Sequence, residues 1–187
     1  MKKIAIVYHS GFGHTQRQAE AVAAGAAQVA ATEVKLYPVD KLDEAQWAEL
    51  DAADAMIFGS PTYMGSVTAK FKEFMEASSK RWYGRVWVDK LAAGFTCSAS
   101  QSGDKLHTLQ NMNIFALQHG MIWVGMSLLP GNNNSQGSVD DLNRLGSFTG
   151  AMAQANADQG ADGMRESDLK TAEHLGERVA TLAARFA

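Results

Sequence analysis

The stretch "KKIAIVYHSGFGHTQRQAEAVAAGAA", Lys2 to Ala27, decides the fold. Ile4–Tyr8 is a short apolar run with β-branched residues, bounded by a glycine-containing turn, which predicts a buried strand. From Thr15 to about Ala30 the alanine-rich chain predicts a helix with Thr15 near its start. Between the two, "HSGFGHTQ" (His9–Gln16) holds two glycines, two hydroxyls and two histidines.

The same alternation continues outward. "EVKLYPV" reads as a second strand, "LDEAQWAELDAAD" as a short helix and "AMIFGSP" as a third strand. A helix is expected from about Val67 to Ser79, followed by an aromatic and basic loop, "KRWYGRVWVD". "KLAAGFTCS" makes a fourth strand, Lys105–His119 a helix and "GMIWVGM" a fifth strand. In the last helix, near Glu166–Arg185, Leu169, Ala172, Leu175, Val179 and Leu182 recur at helical spacing. Strands alternating with helices imply a parallel sheet with right-handed crossovers. The expected fold is α/β, a flavodoxin-like doubly wound five-stranded parallel sheet of order 2-1-3-4-5 with helices on both faces. One domain over residues 1–187 suits the length. Leu128–Arg165, rich in Gly, Asn, Ser and Asp, yields no element, and a segment this long is usually functional or an assembly surface.

The apolar fraction of 46%, charged fraction of 20% and net charge of −3 are those of an ordinary globular domain. They carry no basic footprint for nucleic acid. Six of the 17 basic residues fall within Lys70–Lys90, mixed with Glu73, Glu76 and Asp89, which reads as a solvated face. Cys97 is the single cysteine, so no internal disulfide forms and a reducing compartment is expected. The few apolar residues after "MKK" are too short for a signal-peptide core or a membrane span. These features predict a cytoplasmic protein without membrane insertion, and no metal site is expected.

In an open parallel sheet the ligand crevice lies beyond the carboxyl ends of the strands. There stand "HSGFGHT", "GSPTYMGS" and "TCSASQSGD", all small, hydroxylated and glycine-containing. The first suits a phosphate: a helix start offers unpaired N–H groups and a favourable dipole, Ser10 and Thr15 add hydroxyls, and Gly11 and Gly13 admit close approach. The plainer reading is a strand-to-helix turn with Thr15 as its cap. No Gly-Lys pair exists for a nucleotide P-loop, and Gln16 stands where a dinucleotide fingerprint needs its third glycine. "GSFTG" places Phe148 where an acyl-transfer elbow needs serine. The second and third loops suit a flat aromatic ligand: Pro61, Tyr63, Met64 and Gly65 offer apolar and small surfaces, and Thr62 and Ser98–Gly103 offer hydrogen bonds. Phosphate at one loop and a flat ring between the others describe flavin mononucleotide (FMN).

"IAIVYHSGFGHT", "DAMIFGSPTYMGSVTAKFKEFME", "KLAAGFTCSASQSGD" and "LQHGM" resemble the flavodoxin-like NAD(P)H:quinone oxidoreductases of the tryptophan-repressor-binding-protein type. The resemblance covers residues 3–125 well and the remainder loosely. It implies non-covalent FMN, reduction by NADH or NADPH, and two-electron transfer to a quinone. Carried over, Ser10, Gly11, Phe12, Gly13, His14 and Thr15 bind the FMN phosphate, with Phe12 also near the nicotinamide. Pro61, Thr62, Tyr63, Met64 and Gly65 contact the isoalloxazine. Cys97, Ser98, Ala99, Ser100, Gln101, Ser102 and Gly103 contact its other edge and the ribityl chain. Trp82 matches a tryptophan that walls the substrate site, and His119 a histidine near the flavin, the candidate proton donor to the reduced quinone. The resemblance also implies a homodimer or homotetramer whose site neighbouring subunits complete. This sequence departs from the family in a short connection after the second strand, in Phe12 where tyrosine is common, and in a third loop with fewer glycines. The implied activity is an FMN-dependent NAD(P)H:quinone oxidoreductase with a ping-pong cycle. The alternatives are a flavodoxin-type carrier that docks protein partners and a regulatory relative without turnover.

Overall fold

Strand β1 (Lys2–Tyr8) lies between two neighbours and is buried on both faces from Ile4 onward. In the computed structural model, which describes residues 1–186, it pairs in parallel with β2 (Thr32–Pro38) on one side and β3 (Ala55–Pro61) on the other. β3 pairs with β4 (Leu91–Ser98), in register from Ala55 opposite Leu91 to Pro61 opposite Cys97. The order β2-β1-β3-β4-β5 is the one expected. Period-two alternation divides the core: Ile4, Ile6 and Tyr8 meet one helical layer, while Ala5 and Val7 meet the other.

The first layer is α1 (His14–Ala27) with α6 (Glu166–Arg185). The two approach backbone to backbone, because a Cβ on Gly25 would run into the Glu173 backbone and one on Gly176 into the Val22 carbonyl. The second layer holds α2 (Glu44–Asp51), α3 (Ala69–Ala77) and α5 (Lys105–Gln118) around Phe58, Phe71, Phe74, Trp87 and Phe115. The stretch expected as an aromatic and basic loop begins as a short helix, α4 (Ser79–Tyr83). Asp51 anchors it, accepting from Arg81 Nε at 2.9 Å and from the buried Trp87 indole at 2.8 Å. On the preceding α3, Lys70–Glu73 and Lys72–Glu76 pair across the exposed helix face.

The fifth position of the sheet differs from the expectation. β5 (Ile122–Trp123) covers only Leu91 and Ala92, and β6 (Ala151–Gln154) covers Phe95–Ser98. Residues 124–150 leave the sheet between them and return. β6 sits inside the segment that the sequence left without an element. Its core-facing residues, Ala151 and Ala153, are small and unbranched, so it lacks the Val/Ile signature of a strand. A buried bidentate ion pair draws the excursion back: Arg144 Nε and Nη2 donate to Asp168 Oδ1 and Oδ2 at 2.8 and 2.7 Å. Asp168 Oδ2 also accepts from the Gln154 amide at 3.0 Å.

Replacing Asp168 with Asn strips the buried Arg144 of its counter-ion. It should lower the unfolding free energy by about 3–5 kcal/mol, read as an earlier urea midpoint at unchanged slope.

Candidate functional site

β1 and β3 send their following connections to opposite sides of the sheet, which opens a crevice beyond their carboxyl ends. The cleft there has a volume of about 420 Å³. It is lined by Gly11, Phe12, His14 and Thr15, by Pro61 and Tyr63, by Cys97–Ala99 and by a fourth wall, Ala155–Gly160.

The first loop is built for an anion. Gly13 takes φ +89°, a left-handed geometry that favours glycine, and turns the chain into α1. Thr15 is not the cap. Ser10 Oγ accepts from the amides of both Gly13 and Gln16 at 3.1 Å. A serine hydroxyl has two acceptor sites and one donor, so Ser10 keeps its hydrogen to offer outward. The amides of Gly11, Phe12, His14 and Thr15 have no partner among the described residues and stand at the positive end of the α1 dipole.

The second loop is a tight hairpin. Tyr63 and Ser66 exchange backbone hydrogen bonds of 3.0 and 3.2 Å across Met64 and Gly65, which both take positive φ (50° and 79°). Met64 therefore stands at the tip with its side chain fully in solvent, a strained exposed position for an apolar residue. Phe12 is 79% exposed, its ring 6.3 Å from that of Tyr63 and tilted by 58°. Thr62 turns inward instead of facing the cleft: its hydroxyl meets Thr96 at 2.9 Å and Thr108 at 2.8 Å, tying β4, the loop and α5 together.

The third loop is tightened by a residue that sequence reasoning passed over. Lys105, the first residue of α5, is wholly buried, and its Nζ donates to Ser98 Oγ at 2.6 Å and Ser100 O at 2.7 Å. Burial lowers its pKa to about 8, against the opposing pull of Cys97 and Asp168 and with Arg144 pushing the same way. A single lysine opening a helix carries no sequence signal for this role, since only the fold turns it back beneath the loop. Cys97 is buried, and burial pushes its thiol up to about 12, so it serves as a small packing residue.

The fourth wall was also unforeseen. The Ala155 amide bonds Ser98 O at 3.2 Å, and His14 Nε2 donates to Gln159 O at 2.9 Å, closing the first loop against the last.

Of the expected site residues, Gly11, Phe12, His14, Thr15, Pro61, Tyr63, Cys97, Ser98 and Ala99 meet in the cleft. Ser10 and Gly13 shape the turn beneath it, and Met64 and Gly65 form the hairpin tip. Gln101 and Ser102 open instead onto a separate depression with Arg144 and Met152. Trp82 is half exposed on α4 and does not line this chain's cleft.

His119 does not reach this chain's own cleft, where a proton donor was expected. It follows α5 and precedes β5, at the amino ends of the strands and away from the cleft. It is 2% exposed, its Nε2 meets Ser78 Oγ at 2.9 Å, and its ring packs 4.4 Å from Trp87 and 4.9 Å from Phe115. Enclosed there, it cannot present a proton to a ligand in the cleft.

The sheet order and the four strand-end loops define a flavodoxin-like protein. Residues 13–134 match the family described as NADPH-dependent FMN reductase. The chain is 44% identical over 182 residues to Flavodoxin FldP of Pseudomonas aeruginosa (strain UCBPP-PA14), with 97% of each covered. It is 35% identical over 206 residues to an NAD(P)H dehydrogenase (quinone) of Geotalea uraniireducens (strain Rf4), with 99% of each covered. It also resembles, over 100% of both chains, the crystal structure of the flavodoxin, WrbA-like protein from Agrobacterium tumefaciens, at TM-score 0.77 and 41% identity. The chain belongs to the NADPH-dependent FMN reductase family, an FMN-dependent oxidoreductase that draws on NAD(P)H.

The cleft fits FMN on its own chemistry. Unpaired amides and the free Ser10 donor suit a phosphate, while Tyr63, Pro61 and Ala99 offer flat or small apolar surfaces to a ring.

Burial holds the His119 imidazole down at about 4 instead of 6.5, with Arg85 pushing the same way. Its contribution to stability is therefore complete above pH 6.5 and is lost as pH falls from 6.5 toward 4, where the unfolded chain alone binds the proton. Urea titrations across that window should show up to about 3 kcal/mol of acid destabilisation that His119→Gln removes.

Proposed function

We propose that this chain passes electrons from NAD(P)H to a quinone through FMN, donor and acceptor entering the same cleft in turn. FMN held there supplies the two-electron store that couples them. The observation that carries the reading is the cleft itself, with unpaired amides and a poised hydroxyl at one end and exposed rings at the other. Ser10 donates to the phosphate, while the amides of Gly11, Phe12, His14 and Thr15 bind it without any cationic side chain in the loop. Pro61 and Tyr63 face the ring system, and Cys97–Ala99 the opposite edge. Phe12 stands over the entrance, where its exposed ring stacks on a planar nicotinamide or quinone.

His119 does not reach this cleft, so protons reach the acceptor from solvent at the open side, past the His14 imidazole and the Tyr63 hydroxyl on its wall. Trp82, exposed and remote from its own cleft, walls the cleft of a neighbouring copy in a homodimer or homotetramer. Relatives named NAD(P)H dehydrogenase (quinone) support the choice of acceptor. Among the described residues no helix is long and apolar enough to cross a membrane, and the single buried cysteine suits the cytoplasm.

A second reading has its own observation. The relative at 44% identity is named a flavodoxin, and the fully exposed Met64 beside Phe12 suits contact with a protein surface. Steady-state oxidation of NADH and NADPH with benzoquinone separates the two. The enzyme turns over without any second protein; a carrier needs an added reductase, and that outcome would replace the first reading.

Ser10→Ala should remove the outward donor and the bond acceptor of the α1 turn together. Fluorescence titration should show FMN affinity falling about tenfold, equivalent to one charge-assisted hydrogen bond, with about 1 kcal/mol lost from stability.

A further inference from the structure

Lys105 is a buried cation that pairs with no carboxylate among the described residues. Its ammonium is held by two neutral oxygens, Ser98 Oγ and Ser100 O, at 2.6 and 2.7 Å. Asp168, the carboxylate nearby, is already committed to the Arg144 guanidinium and to the Gln154 amide. Lys105, Arg144 and Asp168 thus leave one net positive charge one hydrogen bond behind Ser98, a residue that lines the cleft. Burying an ammonium without a counter-ion costs several kcal/mol in general, and two neutral hydrogen bonds offset only part of that. A loop of this shape could be braced by a neutral amide at far lower cost. What a neutral brace could not supply is an electrostatic field, which acts strongly across a low-dielectric wall.

We propose that Lys105 tunes the reduction potential of FMN in this cleft, its buried ammonium favouring the reduced, electron-richer form over the oxidised one. The inference rests on the cleft being the FMN seat. Lys105 acts through the loop and its field without touching the reacting atoms, so it is a positioning and tuning residue. The field matters to function because the potential decides how readily FMN accepts electrons from NAD(P)H and how firmly it holds them before an acceptor arrives. The groups facing the ammonium are Cys97 from β4, Asp168 from α6 and Arg144 from the 124–150 excursion. Cys97 stays a neutral thiol, and Arg144 and Asp168 satisfy one another, so the charge that can change is that of Lys105.

The test is a redox titration of the FMN-loaded wild type and of Lys105→Met, Lys105→Gln and Lys105→Arg against reference dyes, with FMN affinity measured in both oxidation states. In the Met and Gln variants, affinity for reduced FMN should fall about tenfold more than affinity for oxidised FMN. For a two-electron couple that lowers the potential by about 30 mV. Lys105→Arg should keep the wild-type potential. In the wild type alone, the potential should fall more steeply with pH from about 8 to about one unit higher, because within that window reduction draws a proton onto Lys105. This second readout decides the matter if a neutral variant fails to fold.

Equal weakening of both oxidation states would reduce Lys105 to a structural brace and overturn the proposal, as would an unchanged potential or a slope without the break. A wild type that takes up no FMN overturns the reading of the cleft itself, and this inference with it. That result shows at the loading step, before any variant is compared.

Discussion

The contact on which the rest of this structure depends is the buried carboxylate of Asp168. It holds the Arg144 guanidinium through two oxygens and the first turn of α6 against β6 through the Gln154 amide. It works beside other hydrogen bonds to the same 124–150 excursion, such as the Asn143 amide to Thr171 Oγ1 and Arg178 Nε to Gly125 O. With this joint undone, the carboxyl half of β4 would lose its partner over Phe95–Ser98, exposing an edge with unpaired amides and carbonyls. The fourth wall of the cleft would go too, because Ala155–Gly160 follows β6 directly. A single ion pair thus couples the completeness of the fold to the completeness of the site. Ion pairs this deeply buried are costly to make and far costlier to halve, which suits a joint that must be either formed or absent.

Around that joint the charges are arranged by depth. The α1 end of the cleft carries unpaired amides, the positive end of a helix dipole and the Ser10 hydroxyl, with no Lys or Arg in the His9–Gln16 loop. The positive charge lies elsewhere, behind the third loop on Lys105, shielded from solvent by the chain it braces. The rim is apolar and exposed, with Phe12, Tyr63 and Met64 facing outward on short, conformationally constrained turns.

The sequence is legible where local chemistry suffices and silent where a side chain acts far from its own segment. The strands and their order followed from apolar runs buried on both faces, a pattern that survives in one dimension. β6 escaped notice because alanine fits its narrow space between β4 and α6 yet carries no strand preference. A plain turn capped by Thr15 is the alternative the sequence leaves open; in the structure Ser10 takes that part by reaching over the turn. His119 and Trp82 were assigned by resemblance. His119 instead packs among Ser78, Trp87 and Phe115, and its depressed pKa marks burial without a counter-charge.

What the sequence by itself determined was the alternation of strand and helix, the sheet order and the three glycine- and hydroxyl-rich strand ends that converge on one crevice. These depend on periodicity and turn chemistry, which are properties of neighbouring residues. Only the tertiary structure decided that the fifth strand is divided, that Ala155–Gly160 closes the cleft, that Thr62 faces inward and that Lys105 lies buried behind Ser98. Each of those rests on contacts between segments brought together by packing, and the free energy of such contacts leaves no trace in the order of the chain.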